Sequence, residues 1–220
     1  MDKETVTVEL DVHEIYRSIQ GEARFAGSPC TFVRLSGCPL RCKWCDTVHA
    51  FGKGTLLSVD AIVTSVEALG TLLVEITGGE PLAQSGSIAL MRQLVNRGFR
   101  VMIETSGAID IAPIPDAVHI IMDIKPPGSG EAHSNRYENL EHLKITDEIK
   151  FVVASESDFQ WVLDITTKYR LTKICQVLIS PAFGLVKPQS VVEWMLSTAE
   201  PFKLNMQWHK HIWHPRTRGV

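Results

Sequence analysis

The sequence predicts an α/β fold, an incomplete TIM-like barrel of mainly parallel strands formed by one domain over residues 1–220. Three observations predict it. Short apolar runs alternate with amphipathic stretches, as in strands buried on both faces and joined by crossover helices. Turn-forming and chemically active residues collect just beyond the runs, where parallel α/β folds bind ligands. The alternation also fails twice: residues 106–117 are too short and proline-broken for a full helix, and residues 126–133 are a Pro/Gly/Ser loop. A closed eightfold barrel is therefore not expected.

Strands are expected at residues 31–36, 72–76, 100–104, 119–123, 149–153, 175–179 and 204–208. Ser58 can cap a helix whose Ile62, Val63, Val66 and Leu69 share a face, closed by Gly70. Ile88, Met91, Leu94 and Val95 form a second stripe ending at Gly98. A third helix starts at Ser157 or Asp158 and turns Trp161, Ile165 and Tyr169 inward. Pro188 suits the first turn of a fourth, ahead of Val191, Val192 and Met195. All four stripes read as core packing. After the strand ends come residues 37–47, Thr77-Gly78-Gly79-Glu80-Pro81, Thr105-Ser106-Gly107, Lys125-Pro126-Pro127 and Ser180-Pro181. These five loops are predicted to converge on one face.

Hydrophobic residues make up 45% and charged residues 21%, which suits a water-soluble domain with a sizeable core. The net charge of −3 is spread without long blocks of either sign, so neither a nucleic-acid nor a membrane partner is expected. No run reaches the roughly 18 apolar residues of a membrane span. The charged, alternating N-terminus does not read as a signal peptide, and a reducing, cytoplasmic location is expected.

Of five cysteines, Cys38, Cys42 and Cys45 crowd into one CxxxCxxC loop, while Cys30 and Cys175 stand in apolar surroundings and read as buried free thiols. Thiolates this close can wrap three corners of a [4Fe–4S] cluster and leave one iron open to a small chelating ligand. Two other readings stay open. Structural zinc needs a fourth ligand, for which His49 is the only near candidate. A ferredoxin-type electron carrier normally brings a fourth cysteine.

CxxxCxxC with Trp44 before its last cysteine, followed by Thr77–Pro81, resembles the radical S-adenosylmethionine (SAM) superfamily. The flanks narrow the likeness. Tyr16-Arg17-Ser18-Ile19-Gln20-Gly21-Glu22, then Phe32-Val33-Arg34-Leu35-Ser36-Gly37, Trp44-Cys45-Asp46-Thr47 and Gln207-Trp208-His209-Lys210 together resemble the 7-carboxy-7-deazaguanine synthase family over nearly the whole chain. The resemblance implies a radical SAM core and conversion of 6-carboxy-5,6,7,8-tetrahydropterin to 7-carboxy-7-deazaguanine with loss of ammonia, on the route to queuosine and other 7-deazapurines. In that chemistry an adenosyl radical takes hydrogen from C6 and later recovers it.

By the same resemblance, Cys38, Cys42 and Cys45 hold the cluster. Trp44, Cys45, Asp46, Gly79, Asp123, Ile124, Lys125, Ser180, Pro181, Ala182 and Phe183 line SAM. Thr47 offers its hydroxyl to Mg²⁺, and Ile19, Gln20, Gly21, Glu22, Arg34, Thr77 and His209 meet the pterin. A homodimer and an electron donor such as flavodoxin or ferredoxin are implied as partners. Simpler roles stand beside these: Glu22 as a surface acid, Arg34 as partner to another strand's carboxylate, Thr47 as a turn cap, and His211 and His214 as a solvated tail. Two features depart from the family pattern. Pro215 is followed by residues 216–220, where some members end in a proline carboxylate that reaches the substrate, and residues 180–183 match loosely. The rival enzyme reading is a glycyl-radical activating enzyme.

Overall fold

The computed structural model describes residues 7–220, so part of the charged N-terminal segment lies outside the described residues. The strands are β1 (Glu9–Ile19), β2 (Pro29–Leu35), β3 (Thr55–Ser58), β4 (Leu73–Gly78), β5 (Arg100–Thr105), β6 (His119–Asp123), β7 (Glu148–Val153), β8 (Gln176–Pro181) and β9 (Lys203–Leu204). They form one open sheet in the order β3-β1-β2-β4-β5-β6-β7-β8-β9. From β2 to β9 every pairing is parallel, and β1 and β3 add antiparallel partners at one edge. The incomplete barrel is thus correct, but β1 and β3 are additions to it. β1 alternates charged and apolar residues over much of its length and β3 is a short exposed edge, so neither shows the apolar run of the central strands.

The helices are α1 (Val59–Leu69), α2 (Gly86–Asn96), α3 (Glu156–Tyr169), α4 (Leu171–Ile174), α5 (Pro188–Leu196) and α6 (His209–Ile212). Ser58 caps α1 by accepting from Ala61 N at 3.2 Å, and Gly70 closes it in the left-handed region, as expected. α3 begins earlier than expected. Ser155 accepts from Asp158 N, and the buried face is Phe159, Val162 and Ile165, with Trp161 and Tyr169 only half-buried. Residues 204–208 are not a strand beyond Leu204: Asn205 and Gln207 turn their side chains into the barrel instead of continuing the ladder.

Alternation gives the sheet two faces. Outward residues such as Val33, Leu35, Val74, Ile76, Ile103, Phe151 and Ile179 pack under the helices in the main core. The inner face has a smaller apolar floor of Ala23, Cys30, Phe32, Leu73, Met102, Ile121 and Leu178. Further along the same strands the inward residues turn polar: Arg34, Glu75, Thr77, Glu104, Asp123, Lys150 and Ser180.

Candidate active site

The cysteine loop leaves β2 and is held by backbone bonds from several directions. Gly37 N donates to Ala50 O at 2.7 Å, Glu80 N to Gly37 O at 2.9 Å, and Lys43 N to Ser129 O at 3.0 Å. Arg41 donates to the Cys38 and Leu40 carbonyls, both at 2.7 Å, and lies 4.3 Å over the Phe51 ring. Gly79 sits so close to this loop that a Cβ there would come within 1.9 Å of Gly37 O. The glycine-rich segment therefore serves first to let β4 pack on the cysteine loop. Beyond it, Glu80 accepts from Leu82 N, Thr105 Oγ1, Ser106 N and Ser106 Oγ, tying the strand-end loops of β4 and β5 together.

The three cysteines are half-buried and free. Burial pushes all three thiols up, Cys42 to about 11, so thiolates at neutral pH call for a bound metal centre. Tetrahedral zinc at 2.3 Å from sulfur would bring its ligands to about 3.8 Å from one another. Among the described residues the only His/Cys/Asp/Glu group with ligand atoms all within 4.8 Å is His13, Glu14 and His49. His49, the near candidate for a fourth zinc ligand, lies with that other group. The arrangement suits a multi-iron cluster. Beside it, Asp123 is buried and its Oδ1 has no hydrogen-bond partner among the described residues, while Oδ2 pairs with Lys125 at 2.9 Å. That leaves a strong acceptor at the strand end where the resemblance places SAM.

The hairpin joining β1 and β2 plugs the barrel. Ala23 N donates to Asn205 Oδ1 at 2.7 Å, Arg24 N to Glu148 Oε2 at 3.0 Å, and Trp208 N to Gly21 O at 3.0 Å. Gly21 is required by the last contact, since a Cβ there would sit 2.4 Å from His209 Nδ1. The plug carries Glu22 inside, where it accepts from Lys150 Nζ at 3.1 Å, Asn205 Nδ2 at 3.0 Å and Gln207 Nε2 at 3.0 Å. Glu22 is therefore no surface acid. Burial alone would raise its pKa, but Lys150, Gln207 and His209 outweigh burial and hold it below the usual range.

Lys150 is buried and also pairs with Glu104, with Asp123 at 3.6 Å. Burial would lower its pKa, yet Glu104, Glu22 and Asp123 hold it well above the ordinary lysine value. Glu75 lies beneath, bonded to the Gln20 amide. Burial, then the Glu104 charge, pushes it up to about 8. An acid raised in the folded state costs stability as pH rises above its unfolded value of 4.5, until the folded group ionises near 8. Glu75→Gln should therefore flatten the fall in thermal midpoint between about pH 5 and pH 8. An unchanged pH profile would contradict this.

The remaining expected residues fall around the same opening. Arg34 and Thr77 are register partners on β2 and β4, and Arg34 donates to Glu14 Oε1 at 2.8 Å and Tyr16 Oη at 2.9 Å. Asp46 accepts from Lys210 Nζ at 2.5 Å, Gln207 Nε2 at 3.1 Å and Thr47 Oγ1 at 3.0 Å. Burial would raise Asp46, but Lys210, Gln207 and Thr47 leave it strongly lowered. Thr47 stands at a turn's first position without making a cap bond. Ser180, Pro181 and Ala182 are buried, Ser180 accepting from Asn205, whereas Phe183 is exposed against Lys210 and His211. His211 and His214 are exposed. Ile19 ends β1, Trp44 and Cys45 lie in the cysteine loop, and Ile124 and Lys125 follow β6.

Sequence reasoning missed Glu75, Glu104, Lys150, Asn205 and Gln207 as pocket residues. A polar residue alternating inside an otherwise apolar strand was the available signal for Glu75, Glu104 and Lys150.

Comparison with known proteins gives a consistent result. The radical SAM superfamily matches residues 32–126. A 7-carboxy-7-deazaguanine synthase of Koribacter versatilis is 43% identical, aligned over 96% of this chain and 100% of its own. One from Chlorobaculum tepidum is 41% identical over 96% of this chain and 97% of its own. Among solved structures, QueE from Escherichia coli superposes with a TM-score of 0.74 over 91% of this chain and 95% of that one. At 24% identity this shows the shared fold.

Proposed function

The chain belongs to the 7-carboxy-7-deazaguanine synthase family, and we propose on that footing that it converts 6-carboxy-5,6,7,8-tetrahydropterin to 7-carboxy-7-deazaguanine, releasing ammonia. It is a radical SAM lyase with a [4Fe–4S] cluster and SAM as cofactors. The observation that carries the substrate reading is the polar ring above the apolar floor, with the ionised Glu22 lifted into it by the plug.

When bound, the cluster and SAM supply the radical that takes hydrogen from the substrate. Cys38, Cys42 and Cys45 hold the cluster; Trp44, Asp46, Gly79, the 123–125 strand end and residues 180–183 surround SAM. The chain's own work is orientation. A pterin presents N–H donors along its amide and guanidine edge, and Glu22, kept ionised by Lys150, accepts them. Gln20 is fixed at both ends, its amide nitrogen on Glu75 and its oxygen accepting from Glu22 N at 3.1 Å. Arg34 and Thr77 complete the pocket, with His209 on its far side against Gly21. The floor of Phe32, Met102, Ile121 and Leu178 keeps water from below.

Thr47 contributes the hydroxyl of a Mg²⁺ site completed by substrate and water, since a hard cation needs oxygen donors. Thr47→Ala is expected to lower kcat/KM by about tenfold, partly restored by raising Mg²⁺, with iron content unchanged. An unaltered Mg²⁺ dependence would remove Thr47 from the metal site. A homodimer, a flavodoxin or ferredoxin as electron donor, and a single domain in a reducing compartment complete the reading, the last supported by five free thiols. No described helix is long and apolar enough to cross a membrane.

The test of substrate class is binding of 6-carboxypterin, an unreactive oxidised analogue, to the cluster-loaded enzyme with SAM and Mg²⁺. Wild type is expected to bind it and Glu22→Gln to bind at least about tenfold more weakly. Equal binding by both would contradict the role of Glu22.

A further inference from the structure

His13, Glu14 and His49 each bring a ligand atom within 4.8 Å of the other two, beside Arg34 on the β1–β2 pair. We propose that they form a site for one divalent transition-metal ion of the zinc class, separate from the cluster and from the Mg²⁺ position.

The local fold explains how neighbours in sequence can serve one ion. In a regular strand, His13 and Glu14 would point to opposite faces. The β1–β2 ladder slips between Val12 and Glu14, and such a bulge re-aims side chains. His49 meets them from the short 3-10 turn Val48–Phe51 that follows the cysteine loop. His49 Nε2 lies 3.9 Å from Glu14 Oε1, and the two imidazole rings are tilted at 56° with centroids 5.0 Å apart, not stacked face to face. The side chains of His49 and Glu14 are 17% and 23% exposed, sheltered but open enough for an ion to enter.

Donor chemistry selects the ion. Two imidazoles and one carboxylate suit Zn²⁺, Co²⁺ or Ni²⁺, whereas Mg²⁺ takes oxygen ligands. Three protein donors leave coordination positions for water. Arg34 is the opposing charge, donating to Glu14 Oε1 at 2.8 Å. No described residue donates a hydrogen bond to Glu14 Oε2, so the carboxylate can keep Arg34 on one oxygen and offer the other to the ion. Holding Arg34 does not require the histidines, because Glu14 and Tyr16 already satisfy it.

Equilibrium dialysis of the cluster-loaded enzyme against Zn²⁺, with SAM and excess Mg²⁺ present, tests the site. Wild type is expected to hold one Zn²⁺ per chain with its iron intact. His13→Gln and His49→Gln should each weaken that binding by at least about tenfold, with iron content and circular dichroism unchanged. Equal Zn²⁺ uptake by wild type and the H13Q/H49Q double variant would overturn the proposal. So would an absence of binding to wild type, or uptake only in step with loss of iron.

Discussion

Lys150→Met is expected to destabilise the protein by about 3–5 kcal/mol, the range for breaking a buried ion pair from one side, and to abolish turnover. Lys150 is 5% exposed and sits among Glu22, Glu104 and Asp123. Methionine fills a similar volume, so the loss comes from charge and not from a cavity. Three carboxylates would then face one another across the barrel with only Lys125 near Asp123. Their pKa values must rise in the folded variant, so its stability should fall as pH climbs above the ordinary carboxylate range and partly return in acid. Urea denaturation at pH 5 and pH 8 checks both size and sign. A loss no larger at pH 8 than at pH 5 would show that the ammonium does not hold these carboxylates.

Cys42→Ala is expected to remove the cluster and reduce SAM cleavage to background while leaving the fold in place. Cys42 is the middle thiol of a loop whose backbone is fixed independently by Gly37, Lys43 and Arg41. Removing one thiolate leaves two, too few to hold an open-cornered cluster. Because none of these anchors uses the Cys42 side chain, the variant should keep its circular dichroism. SAM cleavage that survives the substitution would place the cluster elsewhere.

The central strands were legible because two-sided burial makes their runs mostly Val, Ile and Leu, and the cysteine loop because ligand spacing is local. What escaped notice is non-local. β1 mixes charged and apolar residues and β3 is only four residues long, so their place in the sheet is fixed by pairing rather than by an apolar run. Of the strand expected at residues 204–208 only Leu204 joins the ladder, because Asn205 and Gln207 find partners in Ser180 and Glu22 instead. Glu22 is placed at the pterin by the family resemblance alone. Its inward turn depends on Lys150, 128 residues away, and no local pattern records that pairing. Gly79 also lets β4 pack on the cysteine loop, where a Cβ would meet Gly37 O, and that contact across elements leaves no local pattern.

The most direct measurement is turnover with SAM limiting. Anaerobically reconstituted enzyme is given reductant, Mg²⁺, excess 6-carboxy-5,6,7,8-tetrahydropterin and less SAM than substrate, and products are followed by mass. 7-Carboxy-7-deazaguanine is expected in excess of the SAM supplied, with SAM recovered. SAM cleavage without the deazaguanine, or a radical delivered to a glycyl-radical protein instead, would contradict it.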